Sequence, residues 1–100
     1  MQTGDAVPSR FLAEWYTPHL SGRAITDVAQ CLQQSLAALP TQPHRPELLY
    51  ALQVPQDAYA FGVFAADSAE TVAQICRHAG LPADRITAAV EANPLESPLD

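Results

Sequence analysis

Two periodicities alternate along this chain, and their order constrains the fold more than any single motif. Over residues 10–16 the side chains alternate. Phe11, Ala13 and Trp15 point one way and Leu12, Glu14 and Tyr16 the other, which is the two-residue period of a strand. Past Pro18, with Ser21 and Gly22 offering a helix start, the period changes to that of a helix: Ile25, Val28, Ala29, Leu32, Leu36 and Leu39 recur before Pro40. Residues 47–54, "ELLYALQV", and 59–64, "YAFGVF", return to the period of two, and the turn at Pro55 to Asp57 makes them a hairpin. A second helix follows, with Asp67 or Ser68 as its cap and Glu70 placed for a capping box. Val72, Ile75, Cys76 and Ala79 form its apolar stripe and Gly80 its stop.

The segment "ADRITAAVEA" is ambiguous, because its alanines favour a helix while Ile86, Ala88 and Val90 alternate like a strand. The preceding order, β-α-β-β-α, decides for a strand over 85–91, since one more strand completes the sheet. The fold expected is α+β: a ferredoxin-like βαββαβ sandwich, with a four-stranded antiparallel sheet and two helices on one face. It occupies residues 10–92 as one domain, with a flexible N-terminus over 1–9 and a loose tail over 93–100. One hundred residues leave no room for a second domain. The proline-rich stretch "PTQPHRP", residues 40–46, reads as a stiff surface loop.

Composition removes several function classes. The net charge of −6, from five Arg and no Lys against eleven acids, repels phosphate backbones and anionic membrane surfaces, so no nucleic acid and no membrane partner is expected. Without Lys, neither Schiff-base chemistry through a side-chain amine nor a P-loop lysine is available. Met1 to Arg10 lacks the apolar run of a secretory signal, and no apolar run approaches the roughly 20 residues that span a bilayer, which points to the cytoplasm. Cys31 and Cys76 fall on separate helices without metal spacing and read as buried free thiols.

Helices on one side of the sheet leave the other side open. Strands two and three are apolar on both faces, so that side would exceed the patch a monomer tolerates. A second copy is the simplest cover, giving a homodimer of α/β-barrel type across an interface of about 1,600 Å².

Three stretches carry a family resemblance: "AEWYTP" at 13–18, "VPQDAYAFGVFAADSAETV" at 54–72 and "AGLPADRITAAVE" at 79–91. The chain resembles the small actinobacterial nickel-binding proteins of the dimeric ferredoxin-like α/β-barrel type. That resemblance implies a homodimer and, in at least some members, bound nickel. The chain departs from the family pattern at Gln56, where an acid usually precedes Asp57, and in the 40–46 loop.

Topology places His19, Asp57, His78 and Asp84 at one edge of the sheet and His44 at the opposite edge. Imidazole and carboxylate are the donors suited to divalent nickel or zinc, so His19 and His78 with Asp57 or Asp84 form the candidate metal set of a non-catalytic binding protein. Glu14 is the second candidate. It lies on the open face between Leu12 and Tyr16, with Arg10 as the nearest basic group. There it serves either as an ion-pair partner across the dimer or as the acid/base of a small-molecule site in the inter-sheet cavity, with Tyr16 beside it. The set Tyr50, Tyr59, Phe61 and Phe64 is expected to pack in the core.

Overall fold

A computed structural model describes residues 9–40, 45–90 and 92. The order is β1 (Ser9–Tyr16), α1 (Ile25–Ala37), β2 (Glu47–Val54), β3 (Tyr59–Ala66), α2 (Ala69–His78) and β4 (Arg85–Ala89), with 3-10 turns at Thr17–Leu20 and Pro55–Asp57. The strands form one antiparallel sheet in the order β2-β3-β1-β4. This is the ferredoxin-like α+β topology. Among the described residues no helix is long and apolar enough to cross a membrane. Ser9, expected in the flexible N-terminus over 1–9, instead opens β1, where it lies across from Ala66. Residues 1–8 of that terminus, the tail over 93–100, and residues 41–44 of the proline-rich loop with His44 lie outside the described residues.

Local chemistry explains where the elements begin and end. Pro18 sits in the first turn of the 3-10 segment, and Ser21 and Gly22 then take left-handed conformations, φ 55° and 77°. A helix cannot run through two such residues, so α1 starts at Ile25 rather than at Ser21. Ser68, not Asp67, caps α2: its hydroxyl accepts the Thr71 N–H at 3.2 Å. Gly80, at φ 75°, ends that helix as expected, with its N–H donating to the Arg77 carbonyl. The last strand stops at Ala89: Val90, expected within it, lies outside, and position 91 is not among the described residues.

Both helices pack on the Phe11, Ala13 and Trp15 face of β1, where they bury Val28, Leu32, Leu36, Val72, Ile75 and Cys76. Trp15 is the centre of this core and is fully buried. Small residues make its bed. A Cβ on Gly62 would lie 3.2 Å from the Trp15 ring and 3.3 Å from Phe64, so the glycine lets the indole settle against the sheet. The indole N–H donates to the Leu81 carbonyl at 2.8 Å, which ties β1 to the loop before β4. Ser35 is a buried polar residue in the helix layer. Its hydroxyl donates to the Ile75 carbonyl at 2.9 Å and so joins α1 to α2. Both thiols are free; burial pushes that of Cys76 up to about 12, which leaves it inert at neutral pH, whereas Cys31 is half-exposed.

Candidate functional site

Among the described residues the opposite face of the sheet carries no helix, and the strand register sorts its side chains into rows running across the strands. Tyr16, Tyr59 and Val54 form one row. The next is Arg85, Glu14, Phe61 and Leu52, followed by Thr87, Leu12, Val63 and Tyr50, and then by Ala89, Arg10, Ala65 and Glu47. Tyr16, Tyr50, Leu52 and Tyr59 are between 37% and 53% exposed, an unusual state for large apolar side chains clustered on one face. Of the aromatic set expected in the core, only Phe64 lies there. Tyr50 and Tyr59 are exposed and Phe61 half-buried on the open face, because alternation along β3 sends positions 59, 61 and 63 away from the helices.

Glu14 belongs to this open face, as its alternation with Trp15 requires. Its basic neighbour is Arg85, with Nε 3.9 Å from the carboxylate, and not Arg10, which lies four residues along the same strand. The sequence holds the signal for this pair only once the β4 register is known, since that register sets Arg85 directly across from Glu14.

At the edge of the face, β1 runs into the 3-10 turn that carries His19. Asp84, from the loop before β4, reaches across to it. One oxygen of Asp84 accepts the Tyr16 backbone N–H at 2.7 Å and the other faces His19 Nδ1 at 2.8 Å, while the Asp84 N–H donates to the Glu14 carbonyl at 2.8 Å. The Tyr16 N–H, foremost, holds the Asp84 carboxyl below its ordinary value against the opposing effect of burial, and the His19 hydrogen bond and charge add smaller contributions in the same direction as the N–H. An ionised carboxylate only accepts, so His19 Nδ1–H is the donor, and in the neutral imidazole the lone pair is then on Nε2. The Tyr16 ring meets the imidazole edge-on at 5.2 Å, and the row continues to Tyr59 at 5.6 Å and Phe61 at 6.3 Å.

The remaining metal candidates stand apart. Asp57 is exposed in the neighbouring 3-10 turn and makes no bond to His19 or Asp84 among the described residues. His78 turns toward α1, where its Nδ1 lies 3.2 Å from the Ser35 hydroxyl. That hydroxyl spends its proton on Ile75, so His78 is the donor, and Ser35 is not set up as a nucleophile. The pair borders pockets of about 190 Å³, with Cys31 and Gln34, and about 380 Å³, with Thr71 and Gln74. Among the described residues, no group of three or more His, Cys, Asp and Glu side chains is gathered for a metal ion.

Because its depressed pKa favours the folded state, Asp84 adds stability that is present above the ordinary carboxylate value of about 4 and is lost as pH falls through the lower folded value. The side chain is one-third exposed, so the expected contribution is about 1 kcal/mol at pH 7. Urea unfolding of Asp84→Asn at pH 7 and at pH 3 checks this. The gap from the wild type is expected at pH 7 and should shrink at pH 3; a gap that widens on acidification would contradict the assignment.

The fold and face together define a ferredoxin-like α+β protein with an aromatic, helix-free sheet surface and a carboxylate-oriented histidine at its edge. No family model, curated protein or solved structure matches the chain.

Proposed function

We propose that this chain is a non-catalytic binding protein that works as a homodimer, with the open sheet faces of two copies packed together. The observation that carries the reading is the exposed aromatic face itself. With three strands of eight residues and one of five, the face measures about 450 Å² in projection. Side-chain relief raises the area buried by two such faces to about 1,000–1,200 Å², where specific interfaces begin. Charge does not oppose the contact, because the face carries two basic residues, Arg10 and Arg85, along with two acids, Glu14 and Glu47, while the acid excess of the chain lies elsewhere. A reducing, cytoplasmic setting suits two unlinked thiols.

A second reading concerns the ligand. An imidazole whose Nδ1–H is held by a carboxylate, leaving Nε2 free, is the arrangement that orients a metal-ligating histidine. In this reading the ion is a divalent transition metal of the nickel or zinc type. His19 Nε2 is the ligand and Asp84 the orienting group, with the remaining donors supplied by water or by the second copy. Calorimetric titration of nickel into tag-free, chelator-stripped protein tests it. The expected result is saturable binding near one ion per chain, lost in His19→Ala, weakened about 10- to 100-fold in Asp84→Asn, and unchanged in His78→Ala and Glu14→Gln. No binding by the wild type, or equal binding by His19→Ala, rules the metal out and leaves the dimer standing.

A further inference from the structure

We propose that the two-fold axis of the homodimer runs along the row Thr87, Leu12, Val63 and Tyr50, perpendicular to the strands, so that Glu14 of each copy meets the partner's Arg10. This rests on the homodimer reading, and it specifies which residues meet. A rotation about that row exchanges the rows on either side of it. The row Arg85, Glu14, Phe61 and Leu52 then lies over the row Ala89, Arg10, Ala65 and Glu47 of the second copy.

The match is complementary in charge and in size on the two central strands, where Glu14 faces the partner's Arg10 and Phe61 faces the partner's Ala65. On the outer strands, at the solvent-exposed rim, Arg85 faces the partner's Ala89 and Leu52 the partner's Glu47. Each contact occurs twice, because a two-fold interface is isologous. The alternatives are worse. An axis along the Glu14 row sets Glu14 against Glu14 and Arg85 against Arg85, and one along the Arg10 row sets Arg10 against Arg10 and Glu47 against Glu47. An axis parallel to the strands lays the Glu14 carboxylate on Phe61 and the Arg85 guanidinium on Leu52, so that each keeps only the other within its own chain and neither gains an opposite charge across the contact. Leu12 and Val63 belong to the two central strands, where the offset of about 30° between packed twisted sheets displaces side chains least.

Charge exchange tests the axis. Arg10→Glu alone places two acids together on each side of the axis, and Glu14→Arg alone places two bases together there, so each variant is expected to dimerise at least 10-fold more weakly than the wild type in sedimentation equilibrium. Mixed one to one, the variants restore both pairs, and a heterodimer of near wild-type affinity is expected. The contact between Glu14 and Arg85 within a protomer is lost equally in the variant alone and in the mixture, so it cannot produce the rescue.

A second measurement does not depend on either charge variant folding. In a Cys31→Ser background, Leu12→Cys lies on the axis opposite its own copy, and a bis-maleimide of about 10 Å should join the two across sheets about 10 Å apart. Tyr16→Cys, two rows away, would sit about 27 Å from its copy and should not be joined. A dimeric wild type whose variants are not rescued by mixing, or that cross-links through Tyr16→Cys rather than Leu12→Cys, overturns the axis alone. A wild type that stays monomeric overturns the dimer and the axis together.

Discussion

Trp15→Ala is expected to lower the unfolding free energy by about 4 kcal/mol and the melting temperature by roughly 20 °C. Trp15 is fully buried and sits where β1, β3 and the loop before β4 meet. Its removal opens a cavity over Gly62, which has no side chain to fill it. It also strips the Leu81 carbonyl of its donor at a position only 3% exposed. Trp15→Phe separates the two effects: most of the apolar contact survives but the carbonyl is orphaned, for an expected loss of about 1–2 kcal/mol from that bond. Since Trp15 is the chain's one tryptophan, urea unfolding followed by far-ultraviolet circular dichroism is the suitable measurement. A loss below about 1 kcal/mol in Trp15→Ala would mean that the core is not organised around this ring.

The topology was legible in the sequence because each strand and helix announces its own period, and because five elements left only one sensible identity for the sixth. The helix-facing side of β1 could be read from bulk alone. The start of α1 was not legible, since Ser21 and Gly22 look like a helix start until their left-handed conformations are known. Nor was Ser35. A serine amid apolar neighbours gives no sign that it will bridge two helices and hold His78 away from the sheet edge. The candidate site was legible in part. Topology brings His19 and Asp84 together because both follow from which strand ends are neighbours. The Glu14 partner depends instead on the register of β4, and a shift of two residues would have exchanged Arg85 for Thr87.

Phe61→Asp is expected to weaken the dimer by more than 100-fold while the protomer stays folded. The contrast with Trp15 follows from the pleat: Phe61 lies across from Glu14 on the open face, two residues from Tyr59 and Val63, and no helix among the described residues covers it. Within one protomer the change removes a half-buried ring from a strand and puts in a poor strand former, at a cost of about 1–2 kcal/mol. Between protomers it sets an uncompensated carboxylate in the middle of an apolar contact, twice per dimer because of the symmetry. Light scattering over a concentration series reads the mass and circular dichroism reads the fold. A folded monomer is the expected result, against a wild type of twice the chain mass. A Phe61→Asp protein that remains dimeric would locate the interface elsewhere, and the exposed tyrosines would then need another occupant.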